Sequence, residues 1–148
     1  MSTLILTHHS DKLFQFDPSR QYDQTVGWKP TGFWVSVPGE DGWEAWCREE
    51  QFGFDRLARE YRVTLSNSAN ILLVDSEEAF HQFTEEYATH SKGIDWAAVA
   101  ATYDGIVIAP YRGSRRLVDR WYSGWDCASG CVWNLAAVGS IRGKRVIS

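Results

Sequence analysis

The chain has no apolar run near the ~18 residues that a membrane-spanning helix needs; stretches such as Ile71-Leu72-Leu73-Val74 are far shorter. Cysteine is scarce. Cys47, Cys127 and Cys131 are an odd set, and C-x3-C is not a zinc spacing. Without a paired framework, a reducing and hence cytoplasmic setting is expected. The opening MSTLILTHHS has neither a basic region nor a long apolar core, so a signal peptide is not expected. There is no P-loop and no G-x-G-x-x-G after a strand, so any nucleotide must be held by another route. A G-x-S-x-G nucleophile elbow is also missing. Positive charge is not in excess: fifteen Lys and Arg against nineteen Asp and Glu leave a net charge of −4. That argues against indiscriminate nucleic-acid binding and leaves room only for a local basic patch.

Aromatic residues are plentiful, with 8 Trp, 7 Phe and 6 Tyr among 148 residues. At 44% hydrophobic and 23% charged the composition is that of a globular protein, and the length fits one domain over residues 1–148. Such a chain buries roughly two-thirds of its unfolded surface and needs no disulfide staple.

Along the chain, Leu4–His8 reads as a strand, residues 11–31 as a loop and Gly32–Val37 as a second strand closed by Pro38-Gly39. Trp43, Trp46, Cys47, Phe54, Leu57 and Tyr61 have helical spacing, which predicts two short helices over Asp41–Tyr61 divided at Gly53. Arg62–Leu65 and Asn70–Val74 read as strands across the turn Ser66–Ala69. Asp75 or Ser76 can cap a helix through Tyr87 whose apolar side carries Phe80, Phe83 and Tyr87. A helix over Ile94–Ala101, a strand over Ile106–Ala109, a last core strand over Cys131–Asn134 and an edge over Lys144–Ile147 complete an α+β domain.

Four segments carry candidate chemistry. His8-His9-Ser10 ends the first strand, where an imidazole can hold a ribose hydroxyl or orient an amide; a surface histidine is the plain alternative. Trp34 and Ser36 are two apart in a strand, so they share a face and can line one pocket, or simply belong to an amphipathic core strand. Arg112, Arg115, Arg116 and Arg120 are interleaved with Trp121, Tyr122 and Trp125; guanidinium groups pair phosphates and aromatic faces stack on bases, while the alternative is a tryptophan-anchored loop with solvated arginines. Asp126 precedes the last core strand and can serve as a base or stabilise a cation, or merely shape a turn. Neighbouring His8 and His9 point to opposite faces and Cys127 and Cys131 lack further ligands nearby, so no metal is expected.

In their order these segments resemble the ADP-ribosyltransferase-like family. Leu6-Thr7-His8-His9-Ser10 is similar to its first motif strand, and Gly32-Phe33-Trp34-Val35-Ser36 to the second, where an aromatic and a hydroxyl frame nicotinamide. Ile94-Asp95-Trp96 followed by Tyr103-Asp104-Gly105-Ile106-Val107 resembles the family's helix and "YDGI" strand, and Ser129 to Ile141 its last strand and tail. The resemblance implies a split β-sheet core with short flanking helices, and an NAD-dependent enzyme that transfers ADP-ribose to a nucleic acid or protein. NAD would be a substrate held by His8, His9, Ser10, Gly32, Trp34 and Ser36. The segment 112–128 falls at the family's target-recognition loop, which would make Arg112, Arg115, Arg116, Arg120, Trp121, Tyr122 and Trp125, with Ser129 just beyond it, acceptor-binding. The family's catalytic Glu falls at Ser129, leaving Asp126 as the nearest carboxylate and, with His8, the expected catalytic pair. The departure leaves open a degenerate module that binds a nucleotide or partner without turnover, and an RNA 2′-phosphotransferase-like enzyme, which the fold also hosts.

Overall fold

Short runs of β-branched and aromatic residues separated by turn formers give this chain many brief strands. The computed structural model describes residues 4–12, 14–52 and 54–146. The elements are β1 (Leu6–Ser10), β2 (Val26–Gly27), β3 (Phe33–Ser36), α1 (Trp43–Glu50), β4 (Arg59–Leu65), β5 (Ile71–Val74), α2 (Glu77–Tyr87), β6 (Ile94–Asp95), α3 (Trp96–Thr102), β7 (Gly105–Ile108), β8 (Ser129–Val132) and β9 (Val138–Val146). Seven strands form one sheet in the order β5-β7-β8-β3-β1-β4-β9, while β2 and β6 make a separate ribbon. Only β5–β7 is parallel among the described pairs of that sheet, and its crossover carries α2 and α3. The architecture is α+β, a large mixed sheet with few helices. Among the described residues no helix is long and apolar enough to cross a membrane.

The sheet is covered on both faces where β7 runs through it. Ile106 and Ile108 join Phe80, Phe83, Trp96 and Trp121 on one side. Val107 joins Leu6, Phe33, Val35 and Val63 on the other. This two-sided burial explains why β7 reads as an unbroken apolar run. Helix α2 starts where the sequence predicts: the Ser76 hydroxyl accepts the Ala79 N–H at 3.0 Å, and Glu77 and Glu78 occupy the positive end of the helix dipole.

The helical spacing over Asp41–Tyr61 misleads at its end. Helix α1 stops at Glu50 and Arg59–Tyr61 belongs to β4, because that strand bonds β1 on one side and β9 on the other, and Tyr61 and Val63 alternate into the core. Gly53, the expected divider, lies outside the described residues. The 11–31 loop contains β2, which pairs Val26 with Asp95 and Gly27 with Ile94, so α3 begins at Trp96 and not at Ile94. The last core strand is Ser129–Val132, shifted from the expected Cys131–Asn134, since the Asn134 side chain caps a 3-10 turn at Leu135–Ala137. The edge expected over Lys144–Ile147 is the end of the longer β9; Ile147 lies outside the described residues.

The feature that positions the site is a parting of strands. β1 pairs with β4 along all its residues, from Leu6↔Val63 to Ser10↔Arg59, but meets β3 only at Thr7↔Ser36. β3 meanwhile stays paired with β8 from Phe33↔Val132 to Ser36↔Ser129. Beyond Thr7 the sheet therefore opens between β1 and β3.

Candidate active site

Where β1 leaves β3, backbone groups lose their strand partner and side chains must supply one. The His8 ring does so: its Nδ1–H donates to the Trp34 carbonyl at 2.7 Å. A carbonyl only accepts, so the proton sits on Nδ1 and Nε2 keeps its lone pair. Phe33 stacks on this imidazole at 4.5 Å and Phe14 flanks it at 4.7 Å. Burial holds His8 below its ordinary pKa, against the opposing pull of the Trp34 carbonyl, and His9 lowers it further. The ring is a neutral acceptor in an apolar frame.

The opening continues into a cleft of about 690 Å³ lined by His8, His9, Ser10, Trp34, Ser36 and Asp126, with Trp125 and Ser129 also on its wall. Of the expected site residues, Gly32, Arg112, Arg115, Arg116, Arg120, Trp121 and Tyr122 do not line it. Trp34 stands edge-on to Trp125 at 5.1 Å, which fixes its ring, and the Lys29 ammonium lies 5.5 Å from its centroid. Ser36 is buried, and its hydroxyl accepts the Trp43 N–H at 2.9 Å, so it caps the first turn of α1 from the cleft wall. The Asp126 carboxylate pairs with the Arg116 guanidinium at 3.3 Å.

Several expected roles change. Gly32 does not line the cleft; a Cβ there would come within 2.6 Å of Cys131 Sγ and 2.8 Å of the Val132 carbonyl, so glycine allows the close approach of β3 and β8. Trp121 and Tyr122 have no free face for a base, because both are buried in the aromatic cluster. Trp121 stacks on Phe80 at 5.0 Å and Tyr122 on Trp125 at 5.8 Å. Burying large apolar rings outweighs exposing them on a loop. The arginines are mostly committed too: Arg112 faces Glu77 at 3.6 Å, Arg115 bonds Asp119 at 2.7 Å and Arg116 holds Asp126. Arg120 is exposed. Ser129, in the place of a catalytic Glu, is 9% exposed and donates to the Cys127 carbonyl at 3.1 Å.

The cleft recruits residues that sequence reasoning missed. Lys29 and Arg56 are its cations, and Trp43 adds a further aromatic wall. Lys29 lay inside the Lys29-Pro30-Thr31 lead-in to β3, and its position five residues before Trp34 was the available signal. Arg56 and Trp43 arrive through tertiary packing, for which no local pattern exists. Cys127 also reaches the cleft, but burial pushes its thiol up to about 12, so it is no thiolate nucleophile.

The Asp104 of the "YDGI" segment acts as a brace. Its carboxylate accepts the Asn70 N–H and the Asn134 side-chain amide, each at 2.8 Å, and ties β5, β7 and the end of β8 together. The two histidines take different partners, the Trp34 carbonyl for His8 and Glu60 at 3.2 Å for His9, although both line the cleft. No family model, curated protein or solved structure matches this chain.

Proposed function

We propose that the cleft binds NAD and that the chain is an ADP-ribosyltransferase-like enzyme with a macromolecular acceptor, nucleic acid or protein. One observation carries this reading: His8, Trp34 and Asp126, drawn from β1, β3 and the segment before β8, converge on one cavity at a gap in the sheet. A split sheet of the ADP-ribosyltransferase type accounts for that gap. His8 Nε2 accepts a ribose hydroxyl, with the imidazole kept neutral by burial and oriented by the Trp34 carbonyl. Trp34 packs on nicotinamide, and Lys29 and Arg56 pair the diphosphate. Loss of nicotinamide breaks the glycosidic C–N bond and develops positive charge on the ribose, which the Asp126 carboxylate stabilises once Arg116 turns aside. Nicotinamide leaves with the electron pair of that bond, and the acceptor nucleophile then bonds the ribose carbon and gives up its proton to solvent.

A second reading, a module that binds a nucleotide or partner without turnover, is favoured by two contacts at the same place. Asp126 is neutralised by Arg116, and Ser129 spends its hydroxyl on Cys127. Incubation with NAD labelled in the adenylate separates the two. Nicotinamide release and label transfer to DNA, RNA or protein support the enzyme. Calorimetric NAD binding without either product supports the module. Absence of NAD binding and of both products removes the enzyme and the NAD-binding form of the module.

A further inference from the structure

The strand pair β4–β9, at one end of the sheet, gathers positive charge. The seven residues of β4 and nine of β9 carry Arg59, Arg62, Arg142, Lys144 and Arg145, five of the chain's fifteen Lys and Arg. Of its nineteen Asp and Glu they carry Glu60 alone, in a chain of net charge −4. Register sorts these residues by face. Tyr61 and Val63 turn into the core opposite Gly143 and Ile141. That leaves Arg62 opposite Arg142 and Thr64 opposite Ser140 on the other face, all four exposed. Glu60 shares this face but is buried and meets His9 at 3.2 Å.

Opposite residues of an antiparallel pair hold their Cβ atoms ~4.5–5.5 Å apart, and like charges so placed repel. Arg62 and Arg142 meet in this way across the ladder, and among the described residues neither is in an ion pair with a carboxylate. Thr64 and Ser140 stand two residues along each strand, about 6.6–6.8 Å away. Two guanidinium groups beside two hydroxyls form an array rich in donors, and an oxyanion over it relieves the repulsion. Phosphate suits it best: guanidinium forks pair its oxygens, and Arg with Ser and Thr are among the side chains that hold nucleic-acid backbones. A bilayer suits it less, since none of the exposed large apolar side chains among the described residues belongs to β4 or β9. The face is also continuous with the cleft. Thr7, on the cleft wall, is the register partner of both Ser36 and Arg62, so one row runs Ser36, Thr7, Arg62, Arg142 out to the sheet edge.

We propose that the open face of β4 and β9 binds the sugar–phosphate backbone of a nucleic acid, with Arg62 and Arg142 on phosphate and Thr64 and Ser140 hydrogen-bonded beside them. Tyr61, the one aromatic residue of the two strands, is buried on the opposite face and has no ring to offer a base. The contact is therefore indifferent to sequence. With two phosphates neutralised by a chain of net charge −4, binding is weak and falls as salt is raised. This inference does not depend on the reading of the cleft.

The test uses the full chain and short fluorescein-labelled DNA duplexes of unrelated sequence, with anisotropy followed as salt is raised. The Kd at low salt should be about 10⁻⁴ M or tighter and alike for every sequence, with a slope of log K on log salt of about −1.8 for two phosphates. Arg62→Gln and Arg142→Gln should each make that slope shallower by about 0.9. Their urea midpoints should hold or rise, because like charges no longer face each other. Arg20→Gln, at an exposed arginine over the Tyr22 ring, should leave the slope unchanged. Absence of binding at low salt, or a slope that neither strand variant moves, overturns the proposal. Polyglutamate or phosphatidylserine vesicles that displace the duplex as well as unlabelled DNA does, charge for charge, would reassign the face to an acidic protein or a membrane and overturn it equally.

Discussion

Replacing Asp126 by Asn separates chemistry from stability at one atom. The pair it forms with Arg116 is 3.3 Å long, with side chains 28% and 44% exposed. Solvent screens such a pair, and its contribution to folding is about 0–1 kcal/mol. Asp126→Asn should therefore move the urea midpoint little. If the carboxylate faces the ribose as positive charge develops, its loss acts in the transition state alone and costs on the order of 100- to 1000-fold in kcat, or about 2.7–4 kcal/mol. Arg116→Gln removes the same ion pair from the other side, with an equally small change in stability, but releases the carboxylate; nicotinamide release should stay at or above the wild-type rate. The assay is nicotinamide release from NAD under saturating conditions, paired with urea unfolding of each variant. Wild-type turnover in Asp126→Asn refutes the electrostatic role. Equal loss of rate in both variants refutes the claim that Arg116 merely holds Asp126 in reserve.

Trp121→Ala should cost about 3–5 kcal/mol, as for other large buried aromatics, because Trp121 is 1% exposed within the aromatic cluster; Arg120→Ala should stay within about 0.5 kcal/mol. Urea unfolding compares them, and a Trp121→Ala protein of near wild-type stability would return that ring to the surface. Gly130→Ala would set a Cβ 2.6 Å from the Ile106 carbonyl and 2.7 Å from Val107 Cγ2, forcing β7 and β8 apart at a cost of about 1–3 kcal/mol; unchanged thermal unfolding would contradict that packing. His8 is held below its ordinary pKa by burial, so below the unfolded value of about 6.5 the unfolded chain binds more protons than the folded one. Its contribution is present above that pH and is lost as pH falls through it towards the folded value. Unfolding free energies between pH 7.5 and 5.5 should fall less steeply in His8→Gln, and identical slopes would refute the assignment.

Local chemistry determined much of this molecule. A capping serine, two acidic residues and Phe80 and Phe83 three apart suffice to write α2, and the apolar runs Ile71–Val74 and Ile106–Ile108 write β5 and β7. Strand alternation likewise put Trp34 and Ser36 on one face before any fold was known. Tertiary structure alone decided the rest. Tyr61 suits a helix face as well as a strand, and only hydrogen bonds to β1 and β9 on both sides select the strand. The Arg- and Trp-rich segment reads either as an acceptor-binding surface or as a tryptophan-anchored loop with solvated arginines, and tertiary packing decides: its rings stack on Phe80 while its arginines pair with Glu77 and Asp119. Arg56 enters the cleft, and Glu44 and Glu60 reach His9, across sequence separations that no spacing encodes. Periodicity and capping act over one or two turns of chain and are legible in the sequence, whereas strand register and ring packing join distant segments and exist only once the sheet has formed.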